Sequence, residues 1–272
     1  MNTQVRSQRV GLGTLGRRQG AIELRQFLRS REQVVFTMAF PVIMIVIFGS
    51  IFSGDLGGGV QFTQYFVTGM IASGLMATGF QALAIQIPIE RDRGVLKRLR
   101  GTPMPKSVYF IGKVAMVLGI AVVETIILLA VATVFFGVSL PGTATKWLTF
   151  AWVGLLGITA CTLCGIAFSS VARTGRSAPA VVTPVALVLQ FTSGVFFVFT
   201  ELPTWMQQVA ALFPLKWMCQ GMRSVFLPET FASQEPAGTW ELGRVAMVLG
   251  LWCIGGLFLC LTTFRWTTKR DG

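Results

Sequence analysis

Few side chains in this 272-residue sequence could carry out chemistry, and their spacing excludes most kinds of it. There is no histidine, which removes the commonest metal ligand and the commonest general base together. Cys161 and Cys164 have the C-x-x-C spacing of half a zinc site, but they stand in an apolar run without a second pair of ligands. The five cysteines show no framework of paired spacings. They are expected to serve helix packing, with neither a metal nor a disulfide scaffold. A phosphate-binding G-x-x-x-x-G-K-[ST] loop is also missing, because Gly112-Lys113 lacks the upstream glycine and is followed by Val114. The chain is therefore not expected to be an ATPase, or any other enzyme, by itself.

Two ionisable groups remain inside apolar sequence. Glu124 falls near the middle of its stretch, where a carboxylate costs about 2.5–3.5 kcal/mol on insertion scales. It could bind a cationic group of a substrate, move a proton, or hydrogen-bond to a neighbouring helix through Thr or Gln. Lys113 lies within one or two turns of the end of the same stretch, so it is expected to extend its amine to the interface.

The elements that must position these groups are membrane spans. Hydrophobic residues make up 53% of the chain and charged ones 12%, with a mean hydropathy of +0.67. A helix needs about 20 apolar residues to cross the hydrocarbon. Residues 34–52, 65–89, 108–136, 147–171, 178–199 and 245–264 meet that length. The expected fold is an all-α integral membrane protein of six spans, since lipid forbids unpaired backbone and no barrel-like alternation appears. A single transmembrane domain, residues 1–272, is expected to divide into a basic segment (1–32), a membrane region (33–266) and a tail (267–272).

With the N-terminus inside, 18 of the 23 Lys and Arg residues fall on the cytoplasmic side and four outside, while Lys113 stays within a span. That asymmetry places both termini in the cytoplasm. The net charge of +12 thus reads as an orientation signal facing lipid headgroups, and no nucleic acid is expected. The first apolar run is too long for a signal-peptide core and has no small-residue cleavage site, so removal of the N-terminus is not expected. Before that run, Leu24, Phe27 and Leu28 share a helical face from which Glu23, Arg25 and Arg29 point away, as in an interfacial helix. Residues 204–212 and 215–226, delimited by Pro203, Pro214 and Pro228, predict an external re-entrant helical hairpin before the last span.

Between the second and third spans, Val95, Leu96 and Leu99 form an apolar stripe flanked by cations and stopped by Gly101 and Pro103. Such a helix fits an apolar groove with an acidic rim on a partner protein.

The pattern Glu90-Arg91-x-Arg93-Gly94-x-Leu96-Lys97-Arg98-Leu99-Arg100-x-Thr102-Pro103 after the second span resembles the permease subunits of type-2 ABC exporters, including the daunorubicin-resistance-type multidrug permeases. A second similarity runs from Ser193-Gly194-Val195-Phe196-Phe197 through Leu202-Pro203-x-Trp205 and Phe213-Pro214-Leu215 to Gly221-Met222-Arg223. The resemblance covers nearly the whole chain. It implies that Glu90, Arg91, Arg93, Gly94, Val95, Leu96, Arg98, Leu99 and Arg100 form a coupling helix that inserts into a separate nucleotide-binding ATPase subunit. ATP and Mg would be bound on that partner, with no cofactor on this chain.

The resemblance further implies a homodimer, or a heterodimer with a similar permease, in the cytoplasmic (inner) membrane. The second and fifth spans would wall the path, with Phe66, Met70, Glu124, Phe191 and Phe196 beside a hydrophobic or amphipathic cargo such as a drug, antibiotic, lipid or glycolipid. The alternative classes are a channel or structural membrane protein, for which the amphipathic loop has no purpose, and an embedded processing factor, for which catalytic groups are lacking.

Overall fold

The structure is a computed structural model that describes residues 12–52, 54–57, 59–102 and 105–264. Regular structure among these residues is helical, apart from one bridge between Asp55 and Gln61. Residues 1–11 and the expected tail at 267–272 lie outside the described residues.

Helix α1 (Leu12–Arg29) is followed after Ser30 by α2 (Arg31–Ile51). Its buried positions are Gly16, Gly20, Glu23 and Phe27, one stripe at spacings of three and four. A Cβ at Gly16 would lie 2.3 Å from the Ile111 side chain, and one at Gly20 would lie 2.7 Å from Ala115. Small residues allow this close approach of helices. The expected amphipathic face is therefore corrected: Leu28 is 58% exposed, whereas Glu23 is buried. The glycine stripe, rather than the leucines, decides which side of α1 is covered.

Helix α3 (Phe62–Met76) continues through a π-helical turn, Ala77–Gln81, into α4 (Ala82–Asp92). A short helix α5 (Val95–Arg100) precedes α6 (Lys106–Phe136), α7 (Ala144–Phe168) and α8 (Ala178–Thr192). Helices α9 (Thr204–Ala211) and α10 (Pro214–Phe226) form a hairpin before α11 (Leu242–Thr263). The π turn lies where α7 crosses: a Cβ at Gly165 would be 2.6 Å from the Phe80 carbonyl oxygen.

Four stretches among the described residues are long and apolar enough to cross a membrane: Phe62–Asp92, Ser107–Phe136, Ala144–Phe168 and Leu242–Thr263. The other two expected spans are shorter as helices, namely Thr37–Ile51 and Ala178–Thr192. Helix α8 has 15 residues, about 22 Å at 1.5 Å per residue, against a hydrocarbon core of about 30 Å. The apolar run to residue 199 does not stay helical. Gly194 turns with φ of 74°, and Ser193 through Phe196 are buried. The Phe199 N–H donates to the Tyr65 hydroxyl at 2.9 Å. Irregular backbone is tolerated at depth when protein covers it in this way.

The hairpin begins where its prolines permit, with Pro214 at the first turn of α10. All thirteen residues of α10 are buried, among α3, α7 and α11. It sits inside the bundle rather than along its edge. By contrast α6 and α11 turn Val122, Ile126, Phe135, Ile254, Phe258 and Leu261 outward, each at least half exposed. Apolar faces of that extent belong in lipid, and the chain is a multi-pass membrane protein.

Candidate coupling site

The bracket that carries α5 follows from three local features. Helix α4 ends at Asp92, and Gly94 takes φ of 73° and ψ of 12°, a left-handed geometry suited to glycine, which lets the chain restart at once. Leu96 is fully buried and Leu99 is partly buried against the core. Thr102 then donates its hydroxyl to the Leu99 carbonyl at 2.7 Å and closes the turn.

Burying Leu96 contributes about 1.5–3 kcal/mol, and this binds α5 to its own chain. The sequence reading treats Leu96 and Leu99 as partner-facing. The structure instead exposes Arg93, Val95, Lys97 and Arg98. The side chain of Arg100 and Pro103 lie outside the described residues.

Glu90 and Arg91, also expected at the docking surface, are engaged inside. Arg91 is buried and donates through Nη2 to the Ser169 carbonyl at 3.3 Å. Asp92 Oδ2 accepts the Gly175 N–H at 2.6 Å, and a Cβ on Gly175 would meet Ile89 Cα at 2.7 Å. The turn between α7 and α8 thus clamps the end of α4.

Glu90 belongs to a buried charged cluster. Lys113, with no exposed surface, donates to Glu23 Oε2 at 2.8 Å and also to Glu90 Oε1. Glu90 accepts further bonds from Gln86 Nε2 at 2.8 Å and the Tyr109 hydroxyl at 2.9 Å, while Gln19 reaches Glu23 at 3.1 Å. Snorkelling of Lys113 is therefore corrected: two carboxylates from α1 and α4 satisfy the amine inside the protein. Sequence reasoning missed Glu23. The available signal was the Gly16-x-x-x-Gly20 spacing, which brings the two backbones together and puts Glu23 one turn further on the same face.

The five expected path residues fall in two separate places. Phe66, Met70, Phe196 and Glu124 are buried, whereas Phe191 is 45% exposed. The rings form a ladder, with Phe66 stacked on Phe48 at 4.9 Å, Phe196 at 6.3 Å from Phe66, and Phe191 at 4.9 Å from Phe196. Glu124 lies apart, at the π turn, where Oε2 accepts the Thr78 hydroxyl at 2.8 Å. Gly74 leaves the space, since a Cβ there would be 2.5 Å from Glu124 Oε1. Of the three roles open to Glu124, helix-to-helix bonding through threonine is the one with a geometric partner.

At the other end, Arg223 is fully buried and donates to Glu235 at 2.6 and 3.3 Å and to the Tyr65 hydroxyl at 3.1 Å. This pairing ties α10 to α3 and to the segment before α11. Among the described residues there is no group of three or more His, Cys, Asp or Glu side chains suited to a metal.

Residues 20–227, from α1 through α10, match the family model described as ABC-2 type transporter. The chain is 25% identical over 213 residues to the Inner membrane transport permease YadH of Escherichia coli (strain K12), covering 76% of this chain and 80% of that protein. It is 24% identical over 190 residues to the Putative transport permease ycf38 of Porphyra purpurea, covering 68% of this chain and 65% of that one. The matched segment contains α5, the Lys113 cluster and the buried hairpin helix, and with that extent of agreement the chain belongs to the ABC-2 type transporter family.

Proposed function

We propose that this chain is the membrane permease subunit of an ATP-driven exporter, energised by a separate nucleotide-binding subunit that docks on α5. The observation that carries the proposal is the arrangement at the end of α4. Leu96 anchors α5 while Arg93, Val95, Lys97 and Arg98 are exposed. A short helix with an exposed cationic face on a rigid mount suits a partner groove with an acidic rim. The clamp at Asp92 and the Lys113 cluster behind it would transmit a push on α5 to α4, α6 and α1 as one body.

In this reading six segments cross the inner membrane with both termini in the cytoplasm, α2 and α8 completing their crossings with flanking chain. ATP and Mg act on the partner, and this chain catalyses nothing. A second permease copy, identical or similar, supplies the other wall of the path. Phe191, on the outward side of α8, is the member of the aromatic ladder placed to meet that copy or a hydrophobic or amphipathic cargo. Export rather than import is carried by the family resemblance, and the word permease in the relatives' names supports transport.

The test replaces exposed groups only. Val95→Asp with Arg98→Glu is expected to leave membrane insertion and thermal stability near the parent values and to remove ATPase activity that co-purifies with the tagged permease. Retention of that activity at the parent level would overturn the docking assignment. Leu96→Asp is the contrasting control, expected to destabilise the permease itself.

A further inference from the structure

A lipid-accessible slot runs beside the part of the bundle that the coupling scheme does not use. It has a volume of about 350 Å³ and is walled by the π turn (Phe80), α7 (Cys164), α8 (Val185, Leu189), the hairpin (Phe213) and α11 (Leu259). Along α11 it extends from Trp252 to Thr263, about 16 Å at 1.5 Å per residue. That is close to the depth of one leaflet, half of a hydrocarbon core of about 30 Å. Phe213 and Pro214 at the tip of the hairpin mark one end, and Ser170 and Val171, just past the end of α7, mark the other.

The polar groups on the wall are already occupied. Ser170 donates to the Ala167 carbonyl at 2.7 Å, Thr263 to Leu259 at 2.6 Å, and the Trp252 indole to Leu212 at 2.9 Å. A water molecule needs two to four polar partners to stay in a cavity. This slot offers no free donor among these groups, so it suits hydrocarbon better than water.

The end at Val171 carries charge. Arg173 and Arg176, two and five residues further on, are exposed and make no ion pair among the described residues. Asp92, whose carboxylate reaches this turn, is taken by the Gly175 N–H. One extended acyl chain in the slot would thus bring its headgroup to two free guanidinium groups, which suit phosphate oxygens.

We propose that the slot between α7, α8 and α11 is a binding site for a resident anionic phospholipid, one acyl chain lying along Trp252 to Thr263 and the phosphate held by Arg173 and Arg176. The site is distinct from the aromatic ladder and from α5. Under the orientation proposed above, its charged end faces the leaflet in which anionic lipids concentrate and where basic pockets between spans recruit them. The occupant fills the space between α8 and the pair α7 and α11.

The test is native mass spectrometry of the purified protein released from nanodiscs of equal phosphatidylcholine and phosphatidylglycerol. The parent is expected to retain phosphatidylglycerol at least fivefold over phosphatidylcholine, about one per chain. Arg173→Gln with Arg176→Gln should lose the headgroup preference while still retaining lipid. Val185→Trp or Leu259→Trp, both at partly exposed wall positions, should lose the lipid itself. Equal retention and equal preference in all these proteins would overturn the site. So would a lipid-free dimer whose association Val185→Trp abolishes, since the slot would then be a face for a second copy. No ATPase or transport is measured, so failure here is separable from failure of the exporter reading.

Discussion

Lys113 has no exposed surface and holds Glu23 and Glu90, which come from two other helices. Removing the cation leaves both carboxylates inside without it, and breaking a buried pair in this way costs about 3–5 kcal/mol. Lys113→Met is therefore expected to lower stability by that order, read as a drop in the thermal unfolding midpoint in detergent. Adding Glu23→Gln to that variant should restore part of the loss, because one uncompensated charge is gone.

Glu124 obeys a different rule, since its partner is the neutral Thr78. Glu124→Gln keeps an acceptor for the Thr78 hydroxyl and should stay within about 1 kcal/mol of the parent, whereas Thr78→Val leaves Glu124 unsatisfied at about 1–3 kcal/mol. Thermal melts of the two variants under identical conditions check the ranking.

Among the elements, the long spans were legible because the length of each apolar run sets them directly: the expected 108–136 and 245–264 differ from α6 and α11 by three residues or fewer at either end. The hairpin was legible because Pro203 and Pro214 suit helix starts, and they stand at the N-cap of α9 and in the first turn of α10. Helix α8 was misjudged at its end, since residues 193–199 are as apolar as the helix before them and only tertiary cover at Tyr65 and Gly69 stops it. The inward turn of Leu96 was hidden for a related reason. An apolar stripe reveals that a face is covered but not by which chain.

Lys113 was misread because its partners lie 90 and 23 residues away in sequence. The glycine stripe of α1 makes its own prediction at this scale. Gly20→Leu would drive a side chain into Ala115, whose Cβ is 2.7 Å from where the new Cβ would sit. It is expected to release α1 from α6, seen as faster amide exchange over residues 12–29 with exchange in α11 unchanged.

Taken as a whole, the molecule has a buried cation paired with carboxylate near each end, and between them Glu124, whose partner is a threonine. Lys113 secures the end that carries α5, and Arg223 secures the hairpin. The aromatic ladder and the π turn occupy the ground between. Under the proposed coupling, a push on α5 would move α4, α6 and α1 together while the hairpin end keeps its own lock.

The two locks also differ in the order in which a growing chain can close them. Both partners of Lys113 are synthesised before it, so the first lock is complete as soon as α6 emerges. Arg223 precedes Glu235 by twelve residues, and proteins made on the ribosome order themselves from the N-terminus onward. Helix α10 is therefore expected to wait, its guanidinium without a carboxylate, until the segment before α11 has been delivered to the same side. A chain stopped after Leu227 should accumulate as a protease-sensitive intermediate in a membrane-insertion assay, whereas one stopped after Gly238 should protect α10. That pair of outcomes would make the buried arginine a checkpoint in biogenesis, with the hairpin completed only once the segment before the last span has been made.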